Sequence, residues 1–391
     1  MEQLRGAIIG FGNMGGAHAA CLAEGRIEGL RLAAVCDIDP ARLEAARERY
    51  PQVACFPSVE ALLESGCVDA VVVAVPHPMH AEIAMAALRR GLHVLVEKPV
   101  DISVSRAEEL NRAAAESGRV FAIMFNQRTN PLFRRAREMV RGGALGELKR
   151  TTWVITNWYR TQHYYDSGAW RATWAGEGGG VLLNQCPHQL DLWQWICGMP
   201  VEVTAWCNTA RYHRVEVEDE AMLLTRYANG ATGQFITTTG EYPGTNRLEI
   251  AGDLGKMVLE GGRIRWWKLR EPESVVRFQS AESMARIAMD YEEIAPDEPE
   301  TAHAGILQNF ANAILRGEAL IAPGEEGVRE LTLSNAAYLS QWQGNIPVKL
   351  PFDTALFDRL LAEHAETSAY RPEHRVIHAD GRYSERWQVN W

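Results

Sequence analysis

The first third of the chain alternates between two patterns. Short uninterrupted apolar runs occur at RGAIIG (5–10), LRLAAVC (30–36), DAVVVAVP (69–76), HVLVEKP (93–99) and VFAIMFN (120–126). Between them lie AHAACLAEG, PARLEAARERY, SVEALLES, HAEIAMAALRRG and SRAEELNRAAAESG, with a weaker strand-like VACF after the second. In these stretches apolar residues recur every three or four positions, the helical spacing. Runs apolar on both faces, separated by helices, predict an α/β architecture with a doubly wound parallel sheet.

From about residue 147 the rhythm changes. Strand-like segments recur at 147–158, 201–210, 219–228, 231–240, 246–251, 256–260 and 263–269, several separated by the turn signals ANGA, YPGT and GDLG. Such a meander predicts a large, mostly antiparallel sheet in a second α/β domain. Its faces need cover: the helical segment 180–197 on one side, a second subunit on the other. Helices near 302–316 and 325–343 carry Ala/Leu stripes suited to packing back onto the first domain. We divide the chain into 1–127, 128–360 and a tail, 361–391. The tail is polar but ends RWQVNW, so Trp387 and Trp391 suggest that it docks, as an arm onto a neighbour.

Composition narrows the function. With 391 residues, 47% hydrophobic and 23% charged, the chain has the mix of a globular protein large enough for two domains. A formal charge of −10 without a long basic run argues against nucleic acid or an anionic membrane as partner. No apolar run approaches the roughly 20 residues of a membrane helix, and the opening MEQLRGAIIGFGNMGG is not expected to be a signal peptide. Seven cysteines with no CxxC spacing fit reduced thiols and a cytoplasmic protein. His77/His80 and His374/His378 lack an evident third ligand, so no metal is expected. Twelve tryptophans fit cores and interfaces, but indole faces also suit sugar rings.

Candidate chemistry begins at the first strand's end. Gly10-Phe11-Gly12-Asn13-Met14-Gly15 lies between a strand and a helix, and Asp37 ends the second strand about twenty residues on. This context makes GxGxxG a Rossmann dinucleotide fingerprint. Gly10 permits the tight turn, Gly12 lets amides approach a pyrophosphate, and Gly15 lets the helix pack closely. Asp37 would accept both adenosine ribose hydroxyls and repel a 2′-phosphate, favouring NAD over NADP. Ile38 and Arg42 lie close by. Ligands in such sheets sit beyond the strands' carboxyl ends. That directs attention to Val75, Pro76, His77 and His80, to Glu97 and Lys98, and to Asn126, Gln127 and Arg128.

GFGNMG, CDIDP, VPHPMH, EKP, FNQR..P, WR at 170–171 and GGG followed by N...H..D occur in an order that resembles the Gfo/Idh/MocA oxidoreductases. The resemblance spans about residues 6–198. It implies an N-terminal Rossmann domain, a C-terminal domain whose large sheet often pairs subunits, and NAD(P)-dependent oxidation or reduction on sugars or cyclitols. It also implies that Lys98 is the active-site lysine and His188 the acid/base histidine. Asn184 falls where an Asp is often catalytic. It removes a charge that could tune Lys98 and leaves an amide that can orient a hydroxyl or the histidine but cannot take up a proton.

Residues 178–193, GGGVLLNQCPHQLDLW, would bring Asn184, His188 and Asp191 to one helix face. Pro187 leaves two readings: the helix starts near Cys186, putting Asn184 in the entry turn, or it kinks there. Asp191 either holds the His188 ring or anchors the helix. In the proposed chemistry His188 is the general base, and Lys98 hydrogen-bonds the same substrate oxygen. Glu97, on the opposite strand face, is assigned to cofactor ribose or backbone. The aromatic and polar loop 157–174 supplies the substrate contacts Tyr159, Arg160, His163, Tyr164 and Trp170, joined by Arg128; Arg171 is assigned to the cofactor. An interface role for this loop is the alternative.

The leading expectation is an NAD-dependent dehydrogenase or reductase acting on a sugar, glycoside or cyclitol, with C3 of a glucose-like ring as the narrower suggestion, in a homodimer or tetramer. The rivals are a glycoside-cleaving enzyme that uses NAD transiently, and a non-enzymatic NAD-sensing regulator.

Overall fold

The computed structural model describes residues 3–168 and 170–369. Six strands make the first sheet: β1 (Leu4–Ile9), β2 (Leu30–Cys36), β3 (Ala54–Phe56), β4 (Ala70–Val73), β5 (His93–Val96) and β6 (Phe121–Ile123). All pair in parallel, in the order β3-β2-β1-β4-β5-β6. The crossovers are α1 (Asn13–Ala23), α2 (Pro40–Arg49), α3 (Val59–Glu64), α4 (His80–Arg89) and α5 (Val104–Ser117). Every residue of β4 is buried, as expected for a strand covered on both faces. The strand order reverses beside β1, so the carboxyl ends of β1, β4, β5 and β6 open on one rim, where such sheets bind ligands.

After α6 (Pro131–Arg141) the second sheet begins with β7 (Leu148–Ile155). Three short helical segments follow: α7 (Gln162–Tyr165), α8 (Val181–Asn184) and α9 (Pro187–Cys197). The sheet continues with β8 (Glu202–Thr209), β9 (Glu218–Arg226), β10 (Thr232–Thr238), β11 (Asn246–Gly252), β12 (Gly255–Glu260) and β13 (Arg263–Leu269). Then come α10 (Glu273–Gln279), β14 (Met289–Ile294), α11 (Ala302–Arg316), α12 (Gly327–Trp342), β15 (Val348–Lys349) and α13 (Thr354–Glu366). The nine strands run β14-β13-β12-β11-β7-β10-β9-β8-β15. Among the described residues only the β7–β10 pair is parallel, so the sheet is mixed and mostly antiparallel.

Strand alternation divides the faces. A register row of Ala205, Leu223, Phe235, Trp153, Leu248, Leu259 and Ile264 points into the core, each residue at most 2% exposed. Helix α9 lies on this face: Trp193 packs 5.5 Å from Phe235 and donates its indole N–H to Thr151 at 2.8 Å. The other face carries the exposed Trp206, Met222 and Leu224.

The helices after residue 300 do return to the first domain. The Ile123 amide donates to the Ala322 carbonyl, and the Asn335 side chain bridges the Val104 amide and the Ile102 carbonyl. Two details differ from the sequence reading, and one decides between its alternatives. Strand β14 has five of its six residues exposed, so it lacks the alternation that marks a half-buried strand. Residues 180–197 form two helices, with Pro187 in the first turn of the second. The boundary at 360 falls inside α13, which Asp353 caps through the Leu356 amide. His374, His378, Trp387 and Trp391 lie outside the described residues.

Candidate active site

The glycine turn separates two kinds of constraint. Gly10 has φ +92°, and a Cβ there would sit 2.4 Å from the Ala74 carbonyl oxygen; a Cβ on Gly15 would sit 1.8 Å from that of Gly10. The protein's own fold therefore requires both. A Cβ on Gly12 would meet only an Arg42 nitrogen, at 3.8 Å. Nothing in the described chain demands glycine there. Gly12 is the N-cap of helix α1 and no side chain caps it, which leaves the helix's first amides for a pyrophosphate. Asn13 is exposed and Met14 half-buried along the same turn.

Asp37 completes the cradle. One carboxylate oxygen accepts from the Phe11 amide at 2.7 Å, the other from the Asp39 amide at 2.8 Å. Arg42 stands 3.6 Å from both Asp37 and Asp39, so its charge is already shared between two carboxylates. Beside them Ile38 is 79% exposed, a bare apolar surface where an adenine would lie. These residues fit a dinucleotide with free ribose hydroxyls.

Around the rim, Val75 and Pro76 follow β4. The Val75 carbonyl faces one ring nitrogen of His80 at 2.8 Å, and the Pro99 carbonyl faces the other at 2.7 Å. Fully buried, His80 ties two rim loops together, and neither of its nitrogens is left for the cofactor role assigned to it. His77 packs its ring 5.5 Å from Trp170, with Nδ1 3.2 Å from the Glu177 carbonyl. Glu97, assigned to ribose or backbone, takes the backbone role. Its carboxylate meets His18 at 2.7 Å and the Lys98 amide at 3.2 Å. Burial works against its charge, but His18 holds the carboxyl down at about 2. It braces the rim instead of contacting ribose.

Lys98 leaves the end of β5 toward the second domain and donates to the backbone carbonyl of Asn184 at 2.7 Å. Burial lowers its pKa, against the pull of Glu97, Glu330 and Glu177. His188 stands one turn beyond Asn184, its ring 6.4 Å from Phe125 at the end of β6. Its Nδ1 is buried, and no described residue bonds it. Burial and then the Lys98 charge push the imidazole well below its usual pKa, so it is a neutral ring within the lysine's field. The Asn126 side-chain oxygen, at the same strand end, is likewise buried and unpartnered among the described residues. Two orphaned polar atoms on one rim are what a bound ligand would satisfy.

The turn that aims these groups is held by Glu218 of β9, whose carboxylate accepts the Gly180 and Leu182 amides and the Tyr338 hydroxyl. The Asn184 side chain has two partners. Its amide nitrogen donates to Glu177, and its oxygen accepts from the Tyr164 hydroxyl at 3.3 Å. Arg171 donates to that hydroxyl at 2.7 Å and lies between the Trp170 and Tyr164 rings. Asn184 thus belongs to the entry helix, not to the α9 face.

The structure corrects two further expectations. Arg128, assigned to substrate, is 0% exposed. It pairs with both oxygens of Asp191, at 2.8 and 2.6 Å, and with Glu326 at 2.5 Å. Asp191 therefore anchors α9 and does not hold the His188 ring. In the aromatic loop, Tyr159 is 45% exposed against Tyr242, His163 is exposed, and Arg160 bends back to the Trp158 and Tyr159 carbonyls. Of that loop, Tyr164, Trp170 and Arg171 reach the Asn184 network. Sequence reasoning missed Glu177, for which the only signal was its place directly before GGG. It also missed Glu330, 0% exposed with neither carboxyl oxygen hydrogen-bonded among the described residues.

A dinucleotide cradle opening toward a lysine and a neutral imidazole from opposite domains is the arrangement of a nicotinamide-dependent oxidoreductase. An oxidoreductase-family model of the NAD-binding Rossmann fold matches residues 4–125, and a model of the GFO/IDH/MocA C-terminal domain matches residues 133–258. The chain belongs to the GFO/IDH/MocA oxidoreductase family, and it is an NAD-dependent dehydrogenase or reductase acting on CH–OH groups. An inositol 2-dehydrogenase from Rubrobacter xylanophilus is 28% identical over 88% of this chain and 92% of its own. A 1,5-anhydro-D-fructose reductase from Ensifer adhaerens is 28% identical over 70% and 78%. Among solved structures, the WlbA dehydrogenase from Bordetella pertussis, in complex with NADH and UDP-GlcNAcA, superposes with a TM-score of 0.74 at 26% identity, over 90% of this chain and 100% of that one.

Proposed function

We propose that this enzyme oxidises a ring hydroxyl, or reduces the matching ketone, of a sugar, glycoside or cyclitol, with C3 of a glucose-like ring as the narrower expectation. The observation that carries the reading is the His188 imidazole: buried and unbonded at Nδ1 among the described residues, with burial and then the Lys98 charge holding its pKa well below the usual value. A neutral ring can take the hydroxyl proton as the C–H bond breaks. Lys98 spends one N–H on Asn184, which leaves protons to stabilise the developing alkoxide. When bound at the rim, NAD would supply the hydride acceptor for oxidation, or the donor for reduction. Asp37 would accept the adenosine ribose hydroxyls, and the α1 amides would hold the phosphates. Trp170 and the Tyr164–Arg171 pair set aromatic rings and hydrogen-bonding groups beside the Asn184 network, a mixture that suits a polyol ring.

Relatives and structural neighbours whose names specify inositols, an anhydrohexose and a nucleotide sugar support a cyclic polyol substrate. The test is a screen of sugars, glycosides and inositols with NAD and NADP, reading cofactor absorbance and product mass. The proposal expects net NADH formation with one substrate class, lost in Lys98→Ala. Bond cleavage without net NADH, or no turnover with any cyclic polyol, contradicts it.

A further inference from the structure

The buried carboxylate of Glu177 is the best-formed group near the catalytic pair to which the chemistry above gives no role. It is 1% exposed and lies in the glycine segment that leads into α8. One oxygen accepts the Ala172 amide at 2.6 Å; the other accepts the Asn184 side-chain amide. Both donors are N–H groups, so both carboxyl oxygens serve as acceptors and neither bond needs a carboxylic proton. The Asn184 backbone carbonyl in turn receives Lys98, and its side-chain oxygen receives Tyr164.

Resting on the reading that Lys98 and His188 form the reacting pair, we propose that Glu177 is a positioning residue: it fixes the Asn184 amide with its oxygen toward Tyr164 and sets a negative charge beside the Lys98 amine. An amide at 184 cannot supply that charge; a carboxylate seven residues upstream can, through the same side chain. The groups facing Glu177 are Lys98 from the end of β5, Arg171 and, at the backbone carbonyl, His77 from the adjoining loops, and Tyr165 on α7; Tyr164 meets it only through Asn184. Burial leaves the Glu177 carboxyl raised above its ordinary value, although Arg171, the Ala172 and Asn184 N–H donors and Lys98 all pull it back.

The test reads Lys98 directly and needs no substrate. The chain has five lysines, so trace acetylation across pH, quantified on the Lys98 peptide by mass spectrometry, gives the amine's apparent pKa in the full-length protein. Removing the charge in Glu177→Gln should lower that pKa by about one unit. Asn184→Asp, which adds a second carboxylate, should raise it. The exchange Glu177→Gln/Asn184→Asp keeps one carboxylate facing one amide and should return the titration to the wild-type value. A Lys98 titration unmoved in Glu177→Gln, or not restored in the exchange, overturns the proposal. If Glu177→Gln does not fold, the exchange variant decides alone. Once a substrate is known, kcat should fall about tenfold in Glu177→Gln while NAD affinity holds, a split that a merely structural residue would not give. Because the titration requires no turnover, it distinguishes failure of this proposal from failure to find a sugar substrate.

Discussion

The amine of Lys98, carried by the nucleotide domain, donates across 2.7 Å to the backbone carbonyl of Asn184, carried by the substrate domain. This bond joins the two halves at the point where the reaction is proposed to occur. It uses a main-chain acceptor, so a change of side chain at 184 does not abolish it. It also fixes the direction of the lysine while leaving protons for a substrate oxygen. Replacing Lys98 with Met should lower kcat by roughly 10²–10³-fold with little change in NAD affinity, as loss of a donor to a developing oxyanion does. Steady-state rates beside NADH fluorescence titration separate the two.

The same lysine sets an alkaline limit. Burial lowers its pKa below the ordinary lysine value. The charged form, which stabilises alkoxide, is present below that lowered pKa and disappears as pH rises through it. The log of kcat/KM should therefore fall on the alkaline side before the pH at which exposed lysines titrate, and the limb should vanish in Lys98→Arg if that variant retains activity.

Asp37 governs the cofactor. Its oxygens are organised by the Phe11 and Asp39 amides. Replacing it with Ser should weaken NAD binding by about 10–100-fold, the worth of hydrogen bonds to a charged group. NADP should lose far less, because repulsion of its 2′-phosphate goes at the same time. Dissociation constants for both cofactors measure the change in preference.

Arg128 should matter to folding alone. Its guanidinium is enclosed by Asp191, Glu326 and the Trp195 ring 5.1 Å away. Arg128→Ala leaves the Asp191 carboxylate buried and uncompensated, a loss of about 3–5 kcal/mol. Denaturant unfolding should show it, while the substrate preference of the protein that remains folded stays as in wild type.

Glu330 makes a prediction of opposite sign. Burial, with no hydrogen-bond partner among the described residues, raises its carboxyl well above the usual range. A raised folded-state pKa means its contribution to stability is fully present below the ordinary carboxyl value and is lost as pH rises toward the folded one. Glu330→Gln keeps the shape without the proton to lose. Its melting temperature should gain on wild type progressively as pH rises above about 4.5. An equal offset at every pH contradicts this account.

Much of the fold was written in local patterns. β1 and β4 read as strands because parallel strands buried on both faces are continuous apolar runs, and the glycine turn carried the cofactor class because Gly12, unlike Gly10 and Gly15, has no neighbour in the described chain that demands a glycine. β14 escaped because it is an exposed edge, whose residues answer to solvent and not to a core. The site was less legible. Lys98, His188 and Asn184 stood out as polar groups in apolar surroundings, whereas Glu177 and Glu330 are carboxylates that composition alone would assign to the surface. Arg128 erred the other way: a strand-end arginine beside a binding rim reads as a ligand contact until Asp191 and Glu326, 63 and 198 residues away in sequence, are seen closing on it. Such pairings arise from tertiary packing and leave no local trace.

The central claim is that a lysine and an imidazole from different domains act on one substrate oxygen. The most direct measurement is single-turnover NADH formation with substrate deuterated at the reacting carbon, in wild type and His188→Ala, with NAD saturating in both. The account predicts that the isotope-sensitive step slows by about 10²–10⁴-fold in the variant, as loss of a general base requires, while NAD affinity is unchanged. A hydride step in His188→Ala as fast as in wild type would show that the proton leaves by another route.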